Sequence, residues 1–356
     1  MNVVNSHIKT TLVQQSRIDE IDMNHIPFGR IFSDHMLVAR YRGGKWEAPE
    51  IQPYGPLSFT PSLSVFNYGQ AIFEGMKVHL NPMGEPILFR PADNHRRMNH
   101  SAQRMSMPEI PAEIFLEGIQ ELVRLDRQWI PQPEQGSLYL RPLMFATDEY
   151  IGVKASDEYL FTVFTSPVGP YYTQPVSLMA SKDHVRAAIG GTGAAKFSGN
   201  YAAAMLPDQL AKAKGYHNVL WLDARENRYI EECGTMNVFF VIDGTVITPT
   251  LSGTILPGIT RQSLLTLLRE KGYPVEVRPL SIYEVQSAYR EGTLEDAFGA
   301  GTAATVSPIA NIGFSGSDMV LPPVEDRPIS NWLKDTLEQI KTGQVEDTHD
   351  WIVKIR

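Results

Sequence analysis

The sequence predicts an α+β protein of two domains, and three observations lead there. Its 356 residues exceed the length of one average domain of about 150 residues roughly twofold. Strand-like and helix-like stretches follow one another without the regular βαβ alternation of a doubly wound sheet. A proline- and glycine-rich break, Ser166-Pro-Val-Gly-Pro-Tyr-Tyr-Thr-Gln-Pro175, separates an N-terminal from a C-terminal half. Proline fixes φ and steers the preceding residue away from helix, so this stretch reads as an extended linker. The expected domains are 1–170 and 171–356.

In the first half, Met36–Tyr41, Ser137–Leu143 and Tyr159–Thr165 read as strands. Between them Ile114, Leu116, Ile119, Leu122, Val123 and Leu125 recur at mostly helical spacing, which predicts a helix from about Ile114 to Trp129. In the second half, Tyr201–Lys214 is Ala-rich and closes at Gly215, a helix that Pro207 should kink. His217–Leu222 reads as a buried strand. Met236–Ile242, the Asp243-Gly244 turn and Thr245–Thr248 read as a hairpin. Gly258–Glu270 is a helix with Leu264, Leu265 and Leu268 on one face and a stop at Gly272; a last helix is expected from an N-cap at Ser330 to Gly343.

Composition narrows the function. With 43% hydrophobic and 20% charged residues the chain is globular, and its longest apolar run, Val238–Ile242, is far too short to span a bilayer. The start shows no charged segment leading into an apolar one, so no secretory signal is expected. A single cysteine, Cys233, permits no intrachain disulfide and suits a reducing cytoplasm. The net charge of −8 is spread along the chain and repels phosphate backbones, which argues against nucleic acid as a partner. The 9 histidines show no metal-ligand spacing, so no catalytic metal is expected.

The chemistry concentrates around Gly190-Gly-Thr-Gly-Ala-Ala-Lys196-Phe. A phosphate-binding P-loop would need Gly before the lysine and Ser or Thr after it; Ala195 and Phe197 stand there instead. What remains is a lysine among small and apolar neighbours. It reads either as an ordinary surface lysine or as one whose pKa burial lowers toward nucleophilicity.

Six blocks in order decide between these: Phe73-Glu-Gly-Met-Lys77, Leu138-Tyr-Leu-Arg-Pro142, Lys196-Phe-Ser-Gly-Asn-Tyr201, Glu232-Cys-Gly-Thr-Met-Asn-Val-Phe239, Leu256-Pro-Gly-Ile-Thr-Arg-Gln262 and Gly299-Ala-Gly-Thr-Ala303. Together they resemble the branched-chain aminotransferases, pyridoxal-phosphate enzymes of fold-type IV, over roughly residues 34–308. The resemblance implies a small N-terminal α/β domain and a larger C-terminal, barrel-like domain with helices that carries the lysine. It implies pyridoxal 5′-phosphate as cofactor, and transamination of leucine, isoleucine or valine with 2-oxoglutarate. D-Amino-acid aminotransferases and aminodeoxychorismate lyases share the lysine and the glutamate; the first two blocks argue against both.

By the same resemblance, Lys196 bonds the cofactor and shuttles the proton between the amino-acid Cα and C4′ of the cofactor. Glu232 sits against the pyridine nitrogen and keeps it protonated. Tyr201 bonds the ring hydroxyl, an ordinary core tyrosine being the alternative. The phosphate falls to Ile259 and Thr260 at a helix N-terminus, to Thr302, and to Arg97, preferred to its neighbour Arg96 for its spacing to Ser101-Ala102. The substrate side comprises Tyr68, Phe73, Tyr139, Arg141 and Tyr171 (or its neighbour Tyr172). Thr235 and Ala303 offer main-chain N–H groups to the α-carboxylate. Tyr139 and Arg141 share one strand face at i and i+2. A partner subunit completes the pocket in this family, which implies a homodimer. Mammalian members carry a redox-sensitive Cys-x-x-Cys after the last block; here those positions read Ala304-Thr-Val-Ser307, so that switch should be absent.

Overall fold

The computed structural model describes residues 8–169 and 174–355. The chain forms two compact units, Met1–Tyr171 with Ala195–Gly199 and Ile340–Arg356, and Tyr172–Ala194 with Asn200–Gln339. A division at 170/171 misses both excursions into the first unit, including the one that carries Lys196. They have simple causes. Phe197 bridges to Ile72, and Ile352–Lys354 pairs antiparallel with Ile87–Phe89. Of the expected linker, residues 170–173 lie outside the described residues. Ser166 and Pro167 belong to the strand Tyr159–Val168, opposite Tyr139 and Leu138. The neighbouring ladder ends at Met36↔Phe164, so beyond it the strand is an edge, where proline is tolerated.

The first unit is a largely antiparallel sheet of ten strands among the described residues. His35–Arg42, Tyr159–Val168, Ser137–Ala146 and Met76–Leu80 lie in that order at its centre, and the short strand Ala71–Phe73 pairs with Leu143–Phe145. The helix expected over 114–129 is a π turn Glu113–Glu117, an α-helix Gly118–Leu125 and a 3₁₀ turn Arg127–Trp129. A Cβ at Gly118 would lie 2.6 Å from Leu37 Cδ2, so glycine lets this helix close on the central strand. The helix Pro91–Arg104 starts on a proline at its first position. It buries Asn94, Arg97, Met98 and Ser101, the i, i+3, i+4, i+7 stripe of an amphipathic helix.

The second unit is a closed barrel of six strands, Val176–Ala180, Asn218–Leu222, Ile230–Cys233, Met236–Ile242, Leu294–Gly301 and Thr305–Phe314. The pairing of Ile230–Cys233 with Met236–Ile242 completes the ring. The hairpin stands where the turn chemistry puts it: Asp243 and Gly244 have φ of 48° and 68°, which a type I′ turn requires. The helix Ile259–Lys271 stops at Gly272, at φ 83°.

Two expected helices differ. Tyr201–Lys214 is two helices, Ser198–Ala203 and Met205–Ala213, broken at Ala204. Pro207 kinks neither, because it lies in the first turn of the second, where N–H groups have no helical acceptor. The last helix begins at Pro328, not after Ser330; proline suits the first helical position, and Ser330 is buried within the first turn.

Candidate active site

In the first unit, Ala71–Phe73 and Ser137–Ala146 bring together an aromatic and cationic cluster. The Arg141 guanidinium lies 4.7 Å from the Phe73 ring centre and 5.4 Å from that of Tyr139, and donates to the Tyr139 hydroxyl at 3.1 Å. Phe28 meets the Tyr139 ring edge-on at 5.7 Å. A Cβ at Gly75 would lie 2.2 Å from the Tyr139 hydroxyl, which is why Glu74 is followed by glycine. Arg141 Nε is buried without a hydrogen-bond partner.

Lys196 belongs to this cluster. Its Nζ lies 5.0 Å from the Phe73 ring centre. Its main-chain N–H donates to Ser101 Oγ at 2.9 Å, and its carbonyl accepts from the Phe73 N–H at 3.1 Å. Ser101 in turn donates to the Arg97 carbonyl. Arg97 is buried and forms a two-pronged pair with the fully buried Glu74, Nε and Nη2 each at 2.8 Å from a carboxylate oxygen. Asn94 also donates to Glu74, at 2.8 Å. Burial opposes the Glu74 charge, but Arg97, Lys196 and Asn94 outweigh it and hold the carboxyl below its usual range. Arg96 is exposed and pairs with Asp93. Tyr68 stands apart from the cluster, exposed at the end of the helix Ser64–Tyr68. Tyr171 lies outside the described residues.

In the second unit, the turns that carry Thr235 and Thr302-Ala303 lie at one end of the barrel. Glu232, Asn237, Ala300 and Val306 occupy one rung across four strands. Glu232 is buried, and its Oε1 accepts from the Leu256 N–H at 2.7 Å and from Arg186 Nη2 at 3.0 Å. Arg186 also donates to the carbonyls of Gly193 and Thr254, and its Nε is buried without a partner. Asn237 donates to the Leu256 carbonyl at 3.0 Å, so the Leu256 peptide is held on both sides. A Cβ at Gly258 would lie 1.9 Å from Asn237 Oδ1, so only glycine lets this segment turn into the helix Ile259–Lys271. No side chain caps that helix start, and Ile259 and Thr260 are buried in its first turn.

Thr235 is exposed in the turn after Gly234, at φ 55°. Thr302 and Ala303 are half-buried in the turn closed by Gly301↔Thr305. Tyr201 is half-buried in the helix Ser198–Ala203. Glu74, Ser101, Arg186 and Asn237 drew no assignment from the sequence. Glu74 stood inside a recognised block, whereas Arg186 is a lone arginine in a loop with no local signal. Among the described residues no group of three or more His, Cys, Asp or Glu is placed to hold a metal.

The architecture is that of known enzymes. The model for the class IV amino-transferases matches residues 71–312. The chain belongs to the class IV aminotransferase family. Branched-chain-amino-acid aminotransferase 2 of Bacillus subtilis is 44% identical over 338 residues, covering 94% of this chain and 93% of that protein. The branched-chain-amino-acid aminotransferase of Mycolicibacterium smegmatis is 41% identical over 92% of both. Among solved structures, the Escherichia coli branched-chain amino acid aminotransferase aligns over 91% of this chain and 99% of its own, with a TM-score of 0.72 and 25% identity. A T.th. branched-chain amino acid aminotransferase complexed with N-(5′-phosphopyridoxyl)-L-glutamate aligns over 89% and 98%, also at 0.72 and 25%.

Proposed function

We propose that this aminotransferase uses pyridoxal 5′-phosphate to move the amino group of leucine, isoleucine or valine to 2-oxoglutarate, giving branched-chain 2-oxo acids and L-glutamate. The single observation that carries the reading is Lys196 on the ring of Phe73, whose other neighbour is Arg141: an amine beside apolar walls and a carboxylate receptor. The names of the relatives supply the substrate class, and the phosphopyridoxyl-glutamate bound by the T.th. enzyme supports cofactor and glutamate.

The donor set fits that cofactor. A lysine amine, a buried carboxylate and a helix start without a side-chain cap match an aldehyde, a ring nitrogen and a phosphate. When bound, pyridoxal phosphate supplies the carbonyl that takes up the amino group and the ring that accepts electrons released at Cα. Lys196 moves the proton at the amino-acid Cα. Glu232, its oxygen fixed by the Leu256 N–H and Arg186, holds negative charge for the ring nitrogen. Tyr201 bonds the ring hydroxyl. Arg97, aligned by Glu74, joins Ile259, Thr260 and Thr302 in binding phosphate.

Phe73 and Tyr139 enclose the aliphatic side chain, while Arg141, with its unpartnered buried Nε, receives the second carboxylate of glutamate. The N–H groups of Thr235 and Ala303 take the α-carboxylate. Tyr68 contacts substrate from a partner subunit in a cytoplasmic homodimer. Exposed Phe66, Tyr68, Tyr150, Ile151 and Val153 support that assembly. Leu63 pairs with Glu149, so these side chains stand on adjoining segments, and an apolar patch of this kind marks an interface.

The purified protein should be yellow, and borohydride should bleach it. It should act on L-leucine, L-isoleucine and L-valine and not on D-amino acids. Arg141→Met should raise KM for glutamate about tenfold, the worth of one charged hydrogen bond, and change that for leucine much less. A colourless protein, or one active only on D-amino acids, would refute the reading.

A further inference from the structure

The two glutamates in the middle of the strand Ile230–Cys233 serve different places. Successive residues of a strand face opposite sides. Glu232 bonds Leu256, whereas Glu231 bonds Thr254 and lines a cavity of about 680 Å³ in the second unit. That volume lies within the usual range for small-molecule sites. Its walls include Ile189, Ile230, Pro249, Ile255 and Pro279.

Glu231 is 5% exposed. Its Oε1 accepts from the Thr254 hydroxyl, and its Oε2 is buried with no hydrogen-bond partner. A buried charged group with an unfilled acceptor position is costly unless a ligand completes it. The other charged side chains on the lining are Asp223, Arg225 and Glu226, so three carboxyls face one guanidinium. Asp223 is spent on its own loop, accepting from the N–H groups of Arg225, Glu226, Arg228 and Tyr229. Arg225 and Glu226 are exposed and leave Glu231 as the buried, unsatisfied group of this lining. Burial above all raises the Glu231 carboxyl above its usual range; the Thr254 hydroxyl and the Arg186 guanidinium oppose it, and Glu232 and Asp223 add to it. A cation would relieve both effects.

We infer that this cavity is a second binding site, for a small organic cation whose N–H bonds Glu231 Oε2 and whose short aliphatic body packs on Ile189, Pro249 and Ile255. The site is connected to Glu232 through one residue. The Thr254 hydroxyl holds Glu231, and the Thr254 carbonyl accepts from Arg186, which holds Glu232.

The probe is N,N-dimethyl-3-methylbutylammonium, a tertiary cation that cannot condense with a carbonyl, titrated calorimetrically into the holoenzyme. Saturable binding is expected, at least about tenfold weaker in Glu231→Gln and abolished by Ala188→Trp on the rim. The neutral 3-methylbutanol should bind at least about tenfold less well than the cation. No binding up to about 10 mM, tenfold weaker than a millimolar site, would overturn the site, as would undiminished binding in both variants. Equal binding of the alcohol would overturn the cation. If Glu231→Gln does not fold, Ala188→Trp, at an exposed position, decides alone. A shift in the pH titration of the holoenzyme's visible band is a second readout. It rests on the cofactor reading above, whereas the calorimetry does not, so the two can fail separately.

Discussion

Lys196 and Glu232 are held by opposite means. Lys196 is positioned by its main chain, through Ser101 and the Phe73 N–H, and its side chain is carried over an aromatic face. Glu232 is gripped at a carboxylate oxygen by a peptide N–H and a guanidinium. The difference suits the two proposed tasks. A group that transfers a proton must have its backbone fixed while its end travels; a group that stabilises charge works best when it does not move. The first unit therefore supplies an amine whose main chain is anchored, and the barrel a carboxylate whose oxygen is fixed.

The most severe break of this contrast is Lys196→Ala, which should reduce turnover to background while the fold persists, since the bonds that position the residue are main-chain ones. Borohydride reduction and peptide mapping should leave the pyridoxyl group on Lys196; recovery on Lys182 or Lys212 would refute its role. Next comes Glu232→Gln, which keeps size and removes charge. It should cost at least ~3 kcal/mol in kcat, as loss of other electrostatic stabilisers does, with cofactor retained. An unchanged kcat would refute the ring-nitrogen role, which Glu231, on the opposite face of the strand, is not placed to take over.

A smaller effect sharpens the comparison from the other side. Glu74→Gln leaves hydrogen-bonding capacity but takes away the charge facing Arg97, and should lower stability by about 2 kcal/mol. The Glu74 carboxyl lies below its ordinary value of 4.5 in the folded state. Its contribution is therefore fully present above that pH and is lost as pH falls through the folded value. Acid unfolding midpoints should show the wild type's advantage shrinking below that pH; a constant gap would exclude the ion pair as its source. The smallest effect is expected at Cys233. The thiol is fully buried, and burial, with Glu232 beside it, pushes its pKa up, so little reactive thiolate forms. Mild peroxide should leave activity nearly intact. A loss that reductants reverse, and that Cys233→Ala abolishes, would show an accessible thiol.

Local chemistry made much of the fold readable. The hairpin at Asp243-Gly244 and the helix ending at Gly272 follow from left-handed positions that glycine and aspartate accept. The misread helices failed for the same local reason seen from the other side. Pro207 looked like a kink and Ser330 like an N-cap, yet Pro207 and Pro328 both lie in first turns, where a missing N–H costs no helical bond. Ordered blocks brought Lys196, Glu232, Tyr139 and Arg141 to attention, but not their partners. Glu74 meets Arg97, and Arg186 meets Glu232, across stretches of chain that carry no pattern of their own.

The sequence by itself determined the α+β class, the cysteine-poor and acidic surface, the hairpin, and the residue types able to do this chemistry, because each depends on near neighbours along the chain. Only the tertiary structure decided that Lys196 packs with the first unit and that Arg97 is locked by Glu74. It alone also decided that two adjacent glutamates serve opposite faces of one strand. Those outcomes depend on which distant groups share a low-dielectric interior, where an unpaired charge is too costly to leave, and no spacing along the chain encodes that pairing.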